Sequence, residues 1–171
     1  MLLAVSIGLK LVLVAVLCKI GFLDFTQQKI RNNGVLLVVA LGAAVMIVGW
    51  LAGEESWRIG LGVAAALALF CLLIPFWIIG KVGAGDVKFM AAAPLVIGGG
   101  DLFLFSIVLL VAAVLTAFIV KNPLLLPEGM FRGYIQHLDR KQVVPFGVPI
   151  SASLILVLLL QIVRSVSTIA Y

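Results

Sequence analysis

Long apolar runs, separated by short polar stretches, constrain this chain more than any other feature. A bilayer-spanning helix needs about 20 mostly apolar residues. The stretches 2–23, 34–52, 57–79, 102–120 and 146–163 all approach that length, and 87–97 is a shorter run of the same character. A soluble domain of this size has too little interior to hide so much apolar surface. Composition agrees: 64% of the 171 residues are hydrophobic and 11% are charged, where a soluble domain carries about a quarter charged residues. The mean hydropathy is +1.32. The expected fold is therefore all-α. It is one integral membrane domain over 1–171 with six transmembrane helices, the fourth of them short.

The net charge of +5 is a weak argument for nucleic acid. In a membrane protein, lysine and arginine mark the cytoplasmic loops. Lys19, Lys29 and Arg31 flank the first break, Lys81 and Lys88 the third, and Lys121, Arg132, Arg140 and Lys141 the fifth. The other side carries Arg58 with Glu54 and Glu55, then Asp101, then Arg164. The first, third and fifth loops are thus expected in the cytoplasm and both termini outside. That topology brings Asp24 and Asp86, 62 positions apart, to one membrane face. Lys10 interrupts the first apolar run and no small-residue cleavage site follows it, so the run is read as a retained helix. Cys18 and Cys71 lie inside apolar runs, where single cysteines act as small hydrophobes. Without a paired-cysteine or histidine-rich pattern, neither metal nor cofactor is expected.

The fourth run is the odd one. Asp86 to Ile97 spans 12 residues, about 18 Å of helix against a hydrocarbon core of about 30 Å. Either the bilayer thins there, or the glycine-rich loop 80–88 dips below the surface, where irregular backbone must line a wet cavity or be buried in protein. The dip is the favoured reading, and it puts Asp86 in a partly dry pocket. Pro94 removes one helical hydrogen bond from this run. Small residues at 60, 64 and 68, and at 62 and 66, allow close helix packing. In 127–141, Met130, Phe131, Tyr134, Ile135 and Leu138 share one helical face, and Pro127 and Glu128 suit a helix start. An amphipathic helix in the cytoplasmic interface is expected, with a solvated basic loop as the alternative. His137, the single histidine, reads as a residue of its polar face. Lys10 either snorkels outward or pairs with Glu54, Glu55 or Asp101.

Two aspartates stand out as candidates for chemistry. Asp24 falls near the end of the first helix, where an acidic residue opposes the helix dipole, so stability alone does not account for it. A solvated interfacial carboxylate is the alternative. Asp86 follows Gly83 and Gly85 and has the position of a helix N-cap. On one membrane face, two carboxylates could share a proton, because like charges held close together do not both stay ionised. The ionised partner would activate a water and the protonated one would bond to a peptide carbonyl.

The stretch Gly83-Ala84-Gly85-Asp86-Val87-Lys88 resembles the Gly-x-Gly-Asp-x-Lys motif of the prepilin peptidases, intramembrane aspartyl proteases that process type IV pilin precursors. Asp24 followed by Ile30 and Asn32 resembles that family's first aspartate segment, with Arg31 where a proline is usual. The stretch 144–149 resembles the proline-glycine segment that opens the family's last helix. The length is similar to the short form tied to Flp-type tight-adherence pili, without the cysteine-motif domain of the longer, methylating form. The resemblance implies an aspartic endopeptidase of the bacterial inner membrane. Asp24 and Asp86 would be catalytic, in a loop supported by Gly83, Gly85 and Lys88. The substrate implied is a prepilin or pseudopilin with a basic leader, and no methyltransferase activity or nucleic acid is implied. Lys88 would steady a carboxylate or face lipid headgroups. A different class stays open: a small non-hydrolytic transporter or pilus-assembly scaffold, since intramembrane carboxylates also serve ion pathways.

Overall fold

The computed structural model describes residues 1–53, 55–123, 127, 129–140 and 144–170, with the side chains of 130, 131, 139, 140 and 168–170 outside that description. Its helices are α1 (Leu2–Gln27), α2 (Asn32–Leu51), α3 (Ser56–Ile78), α4 (Ala84–Ile97), α5 (Leu102–Lys121), α6 (Met130–Arg140) and α7 (Gly147–Ala170). A single 3-10 turn, Gly99–Asp101, joins α4 to α5.

Five of these, α1, α2, α3, α5 and α7, are long and apolar enough to cross a membrane. Six had been expected. The difference is α4, which starts at Ala84 rather than Val87 but still has only 14 residues, about 21 Å of helix. It is the interior element of the bundle. Val87, Phe89, Ala91, Ala92, Ala93, Pro94, Val96 and Ile97 are all buried, whereas α3 and α5 turn large residues such as Leu72 and Leu110 outward. An outward apolar face suits lipid, while α4 is solvated by its neighbours α2, α3 and α7.

Small residues make that enclosure possible. A Cβ on Gly42 of α2 would sit 3.1 Å from the Leu95 carbonyl oxygen, and one on Gly62 of α3 would sit 3.1 Å from the Pro94 carbonyl oxygen. Backbone-to-backbone approach of this kind is how membrane helices gain dispersion contact without a hydrophobic driving force. Of the two small-residue faces on α3, the Gly62–Ala66 face is the buried one, and Gly60, Ala64 and Ala68 are exposed. Gly98, at φ 72°, ends α4 in a conformation that a side chain would strain.

The main core joins Leu13 and Leu17 of α1, Val38 of α2, Phe89 of α4 and Leu154, Val157 and Leu158 of α7. A second small cluster lies under α6, where Ile135 and Leu138 pack with Val120 and against Phe25, Tyr134 and Val144. The segment is therefore a helix with an apolar face rather than a solvated loop. It begins at Met130, and Glu128 lies outside the described residues.

At the bundle end that holds the last turn of α4, Asp101 accepts hydrogen bonds from Arg164 Nη1 at 3.0 Å and Gln161 Nε2 at 2.8 Å. Gln161 Nε2 also reaches the Ile97 carbonyl at 2.8 Å, which ties α7 to the end of α4. Lys10 lines a cavity of about 230 Å³ together with Asp101, Arg58 and Arg164. Of its other expected partners, Glu55 is engaged by Arg58 Nε at 3.5 Å, and Glu54 lies outside the described residues.

Candidate active site

The other end of the bundle holds both aspartates. Helix α1 runs on to Gln27, so Asp24 stands in its last turn and is 4% exposed. Gln28, at φ 52°, closes the helix by donating its N–H to the Asp24 carbonyl at 2.9 Å. The Asp24 side chain turns the other way. Its Oδ2 accepts the backbone N–H of Gly147 at 2.8 Å. Gly147 is the first residue of α7, so the carboxylate faces the unsatisfied donors and positive dipole end of a helix. A Cβ on Gly147 would come within 2.7 Å of Asp24 Cγ and Oδ2. Only glycine lets α7 start this close to the carboxylate.

Asp86 is not the N-cap of α4. Gly83 occupies that position and Asp86 is the third helical residue, where a carboxylate can reach back toward the cap N–H. Asp86 lies outside the five membrane-length helices. Burial, first, and the nearby charge of Asp24, second, push its carboxyl up from 3.8 to about 6, against the lowering effect of the Gly83 N–H.

The glycines of this loop act by leaving space. Gly83 has ordinary extended backbone, φ −67° and ψ 142°, and a Cβ there would meet Asp86 Oδ2 at 2.8 Å. A Cβ on Gly85 would meet the Cβ and the carbonyl oxygen of Ile30, both at 3.0 Å. Lys88 Nζ donates to Asn32 Oδ1 at 3.3 Å in an exposed contact. So Gly85 and Lys88 join the Asp86 segment to Ile30 of the α1–α2 linker and Asn32 at the start of α2, and the two aspartate segments form one structural unit.

Both aspartates line a single cavity of about 1080 Å³. Its walls come from α1, the α1–α2 linker, the start of α2, residues 83–86 and residues 144–146. His137 is exposed on α6 and is not part of the lining. Among the described residues no group of three or more His, Cys, Asp or Glu side chains is arranged to hold a metal ion. Tyr134 of α6 donates its hydroxyl to the Phe25 carbonyl, with the two rings 5.0 Å apart, so α6 is tied to the turn that carries Asp24. Sequence reasoning did not find Gly147 as a partner of Asp24. The proline-glycine stretch at 145–149 was the available signal, read only as a helix entry.

The arrangement sets two carboxylates on the lining of one cavity. That is a capacity for general acid-base work on water and a polar bond.

The type IV leader peptidase family matches residues 11–121, nearly two thirds of the chain and inclusive of both aspartate segments. The match ends with α5, before α6 and α7. No curated protein and no solved structure matches the chain. The chain belongs to the type IV leader peptidase family.

Proposed function

We propose that this leader peptidase is an intramembrane aspartyl endopeptidase, with Asp24 and Asp86 as its catalytic pair. The observation that carries the reading is that two aspartates from separate segments line one cavity, with Asp86 pushed up to about 6. That value lies near the range in which a carboxyl can hold a proton for catalysis and still release it.

In the proposed reaction the pair holds one proton. The ionised carboxylate accepts a proton from a water while the protonated carboxyl donates a hydrogen bond to the scissile carbonyl oxygen. The water oxygen bonds to the carbonyl carbon and a tetrahedral intermediate forms. Its collapse breaks the C–N bond, and the amine leaves with a proton supplied by the pair. One water is consumed and the pair returns to its starting proton count. The microscopic order of acid and base belongs to the pair as a unit.

The substrate proposed is a Flp-type prepilin or pseudopilin, cut between its basic leader and its hydrophobic helix at the cytoplasmic face of a bacterial inner membrane. The positive-inside bias of the Lys29/Arg31 and Lys81/Lys88 loops supports that orientation. For both termini to lie outside, α4 must complete a crossing with 14 residues. That requires either local thinning of the bilayer or a glycine-rich loop that dips below the surface, where irregular backbone is tolerated if it lines a cavity. No methyltransferase activity is proposed.

Co-expression with candidate precursors tests the reading. Native protein is expected to produce a leader-length mass loss, and Asp24→Asn or Asp86→Asn none. Full cleavage by either variant would remove the pair from the mechanism, and a reporter showing the Lys81 loop outside the cell would overturn the orientation.

A further inference from the structure

Lys10 is a charge that the peptidase reading leaves unused. It stands inside α1, a helix of membrane-crossing length. Lysines in such helices are rare; they face a bundle interior or a wet cavity and serve ligands, ions or protons. Lys10 is half-buried and lines the cavity of about 230 Å³ at the bundle end away from the two aspartates. Arg58 of α3 and Arg164 of α7 line the same cavity. Both guanidinium groups reach the Gly99–Asp101 turn, from different helices. A Cβ on Gly100 would be 3.6 Å from Arg58 Nη1, and Arg164 Nη1 lies 3.0 Å from Asp101 Oδ1. The lining thus carries three cationic side chains and one anionic side chain, Asp101. Glu55, 3.5 Å from Arg58 Nε, stands outside the lining and would still leave the cations in excess.

Tryptophans mark the depth of this end. Trp57 in the first turn of α3 and Trp77 in its last turn are both exposed. They are 20 positions apart, about 30 Å of helix, and a hydrocarbon core is about 30 Å thick. Exposed tryptophans gather at the two membrane–water interfaces. Trp50, near the end of α2, is exposed as well. The Arg58 guanidinium lies 5.5 Å from the Trp57 ring centroid, so Arg58 stands at headgroup level.

We propose that the cavity formed by Lys10, Arg58 and Arg164 at the Gly99–Asp101 turn is a binding site for a phosphate group. A guanidinium is a planar fork of donors that matches phosphate geometry, and an ammonium adds a point charge. The volume is below the about 300 Å³ at which drug-sized pockets begin, so it suits the polar part of a headgroup rather than a peptide segment. A bound anion offsets the repulsion among three cations gathered around one carboxylate. Headgroup depth favours the phosphate of an anionic lipid, and the same side chains would take inorganic phosphate. Either source would fasten α1, α3 and α7 together.

The test measures Tm of the full chain in a maltoside detergent, which carries no phosphate. Phosphatidylglycerol is compared with diacylglycerol of the same chains, and inorganic phosphate with chloride at equal ionic strength. Phosphatidylglycerol is expected to raise Tm by about 2 °C or more over diacylglycerol. In Lys10→Met and Arg58→Gln the half-maximal concentration should rise about 10-fold or more. Lys81→Gln removes one exposed positive charge at the aspartate end and should respond as native. A rise with inorganic phosphate alone, weakened in the same two variants, would support the site and assign it to free phosphate. No rise with either source, or an undiminished rise in both variants, would overturn it. A phosphatidylglycerol with a photoreactive headgroup gives a reading on the unsubstituted chain, independent of how the variants fold. Attachment is expected within 96–101 or 161–165, and attachment only elsewhere would overturn the site. Cleavage enters none of these measurements, so their outcome is separate from that of the peptidase reading.

Discussion

Asp101 at one end of the bundle sits between a guanidinium and a carboxamide, at 3.0 Å from Arg164 and 2.8 Å from Gln161. Asp24 and Asp86 at the other end share a cavity with each other. Among the described residues neither of them has an ion pair, and Asp24 is met by a backbone N–H. The two ends carry the same functional group in opposite electrostatic settings. The carboxylate answered by Arg164 and Gln161 ties α7 to the turn that follows α4. Asp24 and Asp86 have no cation paired to them among the described residues, and burial and the Asp24 charge push Asp86 up to about 6. The contrast separates an end that fastens the bundle from the end that holds the proposed catalytic pair.

The largest expected effect short of removing an aspartate falls at Gly147. Gly147→Ala would set a methyl 2.7 Å from Asp24 Cγ and Oδ2, so the carboxylate must move or α7 must withdraw. A displacement of about 1 Å at a reacting group can cost about 100-fold, and a loss of that order in kcat/KM on a purified precursor is expected. Native-like turnover would show that the Gly147 contact does not hold Asp24 for the reaction.

Titration sharpens the comparison next. Asp86 is pushed up from 3.8 to about 6. Between those values the folded protein binds more protons than the unfolded chain, so stability falls as pH rises from about 4 to about 6 and is level above that. Asp86→Asn removes the cost of the buried charge. Its Tm in detergent should exceed the native value at pH 7, and the gap should close near pH 4. The kcat/KM of native protein should decline as pH rises through about 6, where the proton leaves. A gap that widens toward acid would reverse the account of Asp86.

The smallest effect on activity is expected at the fastening end. Asp101→Ala leaves Arg164 and Gln161 without their shared acceptor and should lower stability by about 1 kcal/mol, a modest figure because Arg164 is largely exposed. Cleavage at a permissive temperature should stay near native. A loss of activity larger than the loss of stability would show that the two ends are coupled.

The membrane-length helices were legible because hydropathy is a one-dimensional property of the chain, and five of the expected runs have the length to cross. The fourth was legible as short but not as the enclosed element, because enclosure depends on Gly42 and Gly62 of other helices. Spacing also offered two small-residue faces on α3 with nothing to choose between them, and only packing shows that Gly62 and Ala66 face inward. At the candidate site, shared loop charge brought Asp24 and Asp86 to one face. The expectation that Asp86 caps α4 placed the cap three residues too late, since glycine can take the cap position and leave the carboxylate inside the helix. Lys88 offered two readings from sequence and its structural partner is neither, because Asn32 lies 56 positions away in the chain. The Gly147–Asp24 bond was illegible for the same reason, spanning 123 positions.

The central claim is that Asp24 and Asp86 act as one unit. The most direct measurement is kcat/KM on one purified precursor for native protein, Asp24→Asn, Asp86→Asn and the double variant. Groups that act as a unit are strongly non-additive. Each single variant is expected to lose about 1000-fold or more, and the double variant little beyond that. Losses that multiply, or a single variant that keeps most of the native rate, would contradict the claim.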